Sequence, residues 1–365
     1  MLKILFALIP LFLSIQDVHA DVIEQIITLP MTVDYDSNPS LSTLNKQSVE
    51  RATVTPRYKV TSGDGIKTMS ADFALLISRS SNQRVSLNRE DPSLSLAFQS
   101  ELPNGSLTLN ANYAQTSTRI SELVDTGLVQ VDGTTRSKSF NGNYSHAFSD
   151  KLDLSLNGGY SRVNYSGGSL TSYTLPSASV ALNYSYNEFL VPFVQASFSH
   201  YQPVSIGDVS DSTTIVTGAN WKVTDRFNLG FNIGVNQVSA KTDRSNQVGG
   251  MNLSYLTELS IITASLTRSV TPSGNGGFLE SDQFQAGISR ELTNKSAIGS
   301  DVSIRQTKGL TPSDFSQLSL FYRYDILPNW NMRLNAQLKE LKNANNETAS
   351  GSLVGFTVSY TTPSF

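Results

Sequence analysis

The chain contains no cysteine. That excludes a disulfide-stapled scaffold, a thiol catalyst and a lipoprotein anchor. It has little charge: Asp, Glu, Lys and Arg make up 16% of its 365 residues, and the net charge of -3 does not suit nucleic-acid binding. After the N-terminal stretch it has no apolar run approaching the ~20 residues that a spanning helix needs. Of three histidines, only His146 and His200 lie beyond that stretch.

What is present begins with Lys3, an apolar run from Ile4 to Ile15, and Val18-His19-Ala20 with small residues where a signal peptidase cuts. This reads as a secretory signal over residues 1–20, leaving residues 21–365 as a single exported domain.

The stretch from Trp221 to Val235 states the rule of the remainder. Phe227, Leu229, Phe231, Ile233 and Val235 alternate with Asn228, Gly230, Asn232, Gly234 and Asn236. Side chains of a strand point alternately to its two faces, so one face is oily and the other wet. Thr213, Ile215, Ala219, Trp221 and Val223 mark the preceding strand, with only Thr224-Asp225-Arg226 between the two. Similar units run from Leu29 to Tyr360.

Short connections such as Gly63-Asp64-Gly65, Leu102-Pro103-Asn104-Gly105 and Leu327-Pro328-Asn329 alternate with longer ones, among them Asp36 to Gln47, Thr118 to Gly133, Tyr165 to Tyr173 and Thr271 to Phe278. Phe148, Tyr186, Phe189, Trp221, Phe227, Tyr255, Tyr324 and Trp330 crowd the short turns, as in a membrane-interface belt. The expected fold is all-β: a transmembrane antiparallel β-barrel of about eighteen strands (sixteen also fits) in an outer membrane, with both termini on the short-turn, periplasmic side. A β-solenoid would need a fixed short repeat, and a soluble sandwich would bury those aromatics.

A barrel of this size leaves an aqueous lumen. By strand phase, Arg57, Lys59, Lys222, Arg305, Arg323, Arg333 and Lys339 point inward, against Asp72, Asp153, Asp301 and Asp325. The first six are the candidate substrate-contacting residues, suited to neutral or acidic polar solutes. Cross-strand ion pairing explains the same residues equally well. No catalytic, metal or cofactor site is expected. His146 and His200 fall near opposite membrane faces, and Ser145 points away from its neighbour His146. The apolar segment from Thr118 to Gly133, with Ile120, Leu123, Val124, Leu128, Val129 and Val131, is expected as a hairpin above the membrane, with inward folding as the alternative.

The segment Val33-Asp34-Tyr35-Asp36-Ser37-Asn38-Pro39 resembles a motif of large bacterial outer-membrane proteins of the beta-barrel porin type, which are associated with exopolysaccharide export and exosortase systems. The resemblance implies a conduit for exopolysaccharide across the outer membrane, working with a periplasmic polysaccharide export protein. A general or sugar-selective diffusion porin is the alternative. Asp34 and Asp36 share a face and allow a cation site; a loop turn held by Asx hydrogen bonds accounts for them as well. The terminal Phe365 resembles the signal read by the barrel-assembly machinery, with an unusual spacer, Thr361-Thr362-Pro363-Ser364. Outer-membrane lipid and lipopolysaccharide complete the expected partners.

Overall fold

The computed structural model describes residues 22–125, 132–205, 207–309 and 312–364. The expected signal, residues 1–20, and Phe365 lie outside the described residues. The first strands are β1 (Val22–Asp36), β2 (Val49–Val54), β3 (Arg57–Gly63), β4 (Lys67–Ser80), β5 (Arg89–Leu102) and β6 (Gly105–Ser117). A short helix, α1 (Thr118–Asp125), precedes β7 (Thr134–Ala147), β8 (Leu152–Ser166), β9 (Tyr173–Tyr184), β10 (Leu190–Pro203) and β11 (Ser210–Thr224). Then come β12 (Phe227–Ser239), β13 (Arg244–Leu256), β14 (Ser260–Pro272), β15 (Phe278–Thr293), β16 (Ser296–Lys308), β17 (Ser313–Leu327), β18 (Trp330–Lys342) and β19 (Thr348–Thr361).

Apart from β2 and β3, which do not pair with each other, successive strands pair antiparallel, and β1 closes the cylinder on β19 from Thr28↔Thr361 to Asp36↔Leu353. The nineteen segments make eighteen staves, because β2 and β3 are halves of one. Both halves pair with β1 and β4 in an unbroken register, and Thr55 N still donates to Pro30 O at 3.0 Å. Pro56, which has no N–H, marks the gap.

Faces follow the sequence phase. On β12, Phe231, Ile233 and Val235 lie exposed on the outer wall, and the apolar residues of neighbouring strands meet them in register: Ala219↔Phe231, Phe231↔Met251, Leu253↔Ala264. An exterior of exposed Leu, Ile, Val and Phe is stable only against lipid, and a closed ladder leaves no unpaired strand edge there.

One end carries tight turns, the other the longer loops. In the first turn Ile66 N and Lys67 N donate to Asp64 Oδ1 at 2.9 and 2.6 Å, and Gly65 takes φ +84°. These backbone donors, Lys67 first, hold the Asp64 carboxyl below the usual carboxylate range. Aromatic contacts cluster at this turn end: Trp330 with Tyr360 at 5.0 Å, Phe227 with Tyr255 at 6.2 Å, and His146 between Tyr144 and Phe148.

The facing of β12 is directly testable. Ile233→Arg should cost about 2–4 kcal/mol in vesicle-based urea unfolding, whereas inward Asn232→Arg should cost less than ~0.5 kcal/mol. Equal costs would refute the assignment of faces.

Candidate functional site

The mouth at the loop end is built around α1. The first part of the Thr118 to Gly133 segment, expected as a hairpin above the membrane with inward folding as the alternative, forms a helix folded into the barrel, because the inner wall offers it an apolar seat; Leu128, Val129 and Val131 lie outside the described residues. Phe315 of β17, Leu341 of β18 and Ala349 of β19 are adjacent in register, lie on the inner face, and form a cluster with Leu41 on which Leu123 packs. Full burial of a leucine contributes about 1.5–3 kcal/mol, and half-buried Leu123 gains part of that. α1 leaves from β6, several staves round the barrel from the seat on β17–β19, so it reaches inward over part of the mouth.

Polar contacts fix it along the way. The Thr118 and Ser121 hydroxyls meet Thr135 Oγ1 at 3.1 and 2.9 Å, Arg119 Nη1 donates to Val85 O at 2.6 Å, and the Tyr165 hydroxyl donates to the buried Glu122 at 2.7 Å. Burial pushes the Arg119 pKa down, with Asp132 opposing; arginine stays charged regardless. The stem is held by Asp132, which accepts from Ser117 Oγ at 2.5 Å and Leu87 N at 2.9 Å beside a buried Arg89–Asp91 pair.

A second inward element faces it. The loop 273–277 reaches the ends of β8–β10: Tyr201, fully buried, donates from its hydroxyl to Ser273 O at 3.3 Å, and Thr171 N donates to Gly274 O at 2.7 Å. Rings run Tyr165–Tyr173–Tyr201–Phe278 with centroid separations of 6.5, 4.8 and 6.1 Å. Gly274 is required here, since a Cβ would sit 2.9 Å from the Tyr165 ring.

The motif from Val33 to Pro39 frames the same mouth. Arg51 Nη2 lies 2.6 Å from Asp34 Oδ1, and Lys339 Nζ lies 2.7 Å from Asp36 Oδ2, with side chains 8% and 3% exposed. Asn38 N donates to Asp36 Oδ1, and the Asn38 amide bridges Ser42 O and Ser350 O at 3.0 Å each. The positions open to a cation are taken by Arg51 and Lys339, so the Asx-turn reading holds. Among the described residues no group of three or more His, Asp or Glu could hold a metal ion.

Two opposite walls of the lumen differ. On β16–β18, Arg305, in register with Phe315 at the mouth, donates from Nη2 to Gln283 Oε1 at 2.8 Å, and well down the wall toward the turn end Arg323 and Arg333 stand directly opposite each other. Arg323 lies 3.4 Å from Glu291 and 3.8 Å from Asp325, while the Arg333 guanidinium stacks 4.1 Å over the Phe321 ring. Gly299 gives that ring its place, since a Cβ there would collide with it. Asp301, opposite Ser319, adds one acidic group to this wall.

Across the lumen, on β6–β10, Asn110, Asn141, Asn143, Asn157, Ser177 and Gln195 line a hollow of about 450 Å³ without a charge. Gly159 sits among them; a Cβ would approach Asn141 Oδ1 to 2.6 Å.

The six candidate residues therefore do not form one site. Arg305, Arg323 and Arg333 share a wall. Arg57 sits elsewhere, forked onto Asp72 with Nε at 2.7 Å from Oδ1, and exposed Lys59 lies opposite the same Asp72 in register. Lys222 belongs to the turn-end rim, where Asp225 pairs with it at 2.7 Å. Lys339, also inward in the sequence reading, is a structural partner of Asp36. His146 and His200 lie at opposite ends of the outer wall, His200 beside Asp211 at 2.6 Å.

Sequence reasoning passed over Phe321, Phe315 and Leu341. Their signal was present: each is apolar at an inward phase. Glu122 and Tyr165 carried no comparable signal, since only the folded loops bring them together.

The sequence matches no protein-family model and no curated protein. The fold does match solved structures. OccK3 (OpdO) of Pseudomonas aeruginosa aligns with TM-score 0.55 at 10% identity, covering 95% of this chain and 97% of that one. OccK2 (OpdF) of the same organism, in complex with glucuronate, aligns with TM-score 0.55 at 12% identity, covering 94% and 98%. A BenF-like porin from Pseudomonas fluorescens Pf-5 gives 0.54 at 13%, covering 95% and 100%. The chain thus has the fold of these eighteen-stranded outer-membrane porins.

The mouth frame predicts an asymmetric response to mutation. Lys339→Met, which leaves buried Asp36 with only the longer Arg51 ion pair at 3.8 Å, should cost about 3 kcal/mol, and adding Asp36→Asn should restore part of it. No recovery in the double variant would show that the ion pair does not organise the mouth.

Proposed function

We propose that the protein is an outer-membrane diffusion porin for small hydroxyl-bearing acids, its turn end periplasmic and its loop end outside. The observation that carries this reading is the pair of opposed walls. Arg305, Arg323 and Arg333 supply cationic donors on one side, and the uncharged Asn and Ser hollow supplies hydroxyl partners on the other. Arginine matches a carboxylate with two parallel donors, and side-chain amides exchange hydrogen bonds with hydroxyls. The glucuronate bound to OccK2, a solute with both groups, supports the same class.

The exopolysaccharide conduit has less support. A polymer would have to thread a mouth narrowed by α1 and loop 273–277, and the solved neighbours are porins. Its periplasmic export partner belongs to that reading alone.

Liposome uptake of glucuronate and glucose separates the possibilities. The wild-type barrel should admit glucuronate faster, and Arg323→Gln with Arg333→Gln should slow it about tenfold, or ~1.4 kcal/mol of barrier, with glucose unchanged. Equal slowing of both solutes, or faster glucose entry in the wild type, would overturn the selectivity. Loss of surface polysaccharide from a clean deletion strain would favour the conduit instead.

A further inference from the structure

On the outer wall at the loop end, β6–β8 carry a row of cations. Lys138 lies between Tyr113 and Arg162 in register, and Arg136, one row nearer the loops, lies between Gln115 and Asn164. All three cationic side chains are exposed. Immediately below, toward the membrane centre, Phe140 and Tyr160 face each other on the same wall.

The partners of these cations are neutral. Arg136 Nε donates to Gln115 Oε1 at 2.9 Å and Arg162 Nε to Asn164 Oδ1 at 3.3 Å. Among the described residues none of the three makes an ion pair, although other outer-wall cations at this end do. Arg79 meets Glu90 at 2.7 Å, Arg268 meets Asp282 at 2.5 Å, and Lys308 meets Glu280 at 2.7 Å. Like charges directly opposite across a ladder are destabilising, and here Lys138 faces Arg162 with no carboxylate to offset them.

We propose that this face binds the phosphorylated glucosamine headgroup of lipopolysaccharide, with its acyl chains lying along the Phe140 and Tyr160 column. A bisphosphorylated headgroup supplies the missing negative charge, and guanidinium and phosphate pair through two parallel hydrogen bonds. The aromatic row places the cations at headgroup depth. The inference rests on the loop end facing outward, but binding in detergent does not depend on orientation in the cell.

The test is a titration of the refolded barrel in neutral detergent micelles, read by native mass spectrometry, with bisphosphorylated lipid A, phosphatidylglycerol and inorganic phosphate as separate probes. Lipid A should bind far better than either other probe. Arg136→Gln, Lys138→Gln and Arg162→Gln together should weaken it roughly a hundredfold, whereas Arg79→Gln, taken from a paired site, should not. Arg162→Gln alone, expected to weaken binding about fivefold, serves if the triple variant fails to fold. Undiminished lipid A binding by the folded variants would overturn the proposal. Equal binding of phosphatidylglycerol would overturn the headgroup assigned, and displacement by inorganic phosphate would reduce the site to a simple anion patch.

Discussion

In hydrocarbon no water is available to a backbone N–H or C=O, so each must find a partner within the chain. The closing ladder between β1 and β19 is where this constraint is met for the whole molecule. Open that pairing and two strand edges would face lipid; keep it, and every stave must show one face outward and one inward. The strict alternation of Phe227 to Asn236 follows from closure. The continuous register through Pro30 and Pro56 shows how much backbone irregularity the ladder absorbs, since the neighbouring N–H of Thr55 keeps its bond.

Closure also creates the problem that the loops solve. Eighteen staves enclose a lumen wide enough for water, and selectivity needs something narrower. The chain supplies it by breaking its own inner-face rule at the mouth. Phe315, Leu341 and Ala349 make an apolar island on a wet wall, and Leu123 of α1 settles on it. Around the island the charges are internally balanced, with Asp36 on Lys339, Asp34 on Arg51 and Arg89 on Asp91. The mouth is thus held by packing and buried pairs, and the wall below it meets a solute with Arg333, stacked on Phe321, facing Arg323 beside Glu291 and Asp325.

The strands were legible in the sequence because a period of two survives any uncertainty about where a strand ends. Outward Ile233 and inward Asn232 are distinguished by phase alone, and so were Arg305, Arg323 and Arg333. Phase does not say what a side chain meets across the lumen. Lys339 and Arg305 read alike in sequence, yet one is locked on Asp36 at the end of β1 and the other lies beside Gln283. For Thr118 to Asp125 the sequence left a hairpin and an inward fold both open. Its apolar residues Ile120 and Leu123 suit a hairpin or a helix, and the decision rests with Leu41, Phe315 and Ala349, which are distant in the chain.

The central claim is a water-filled barrel whose mouth is narrowed by α1. Single-channel conductance in a planar bilayer tests it, comparing the wild type with a variant in which residues 118–133 are replaced by a short Gly-Ser link. The account predicts a steady, modest conductance that rises clearly in the variant. Equal conductance in both would contradict the placement of the constriction, and no current from either would contradict a channel altogether.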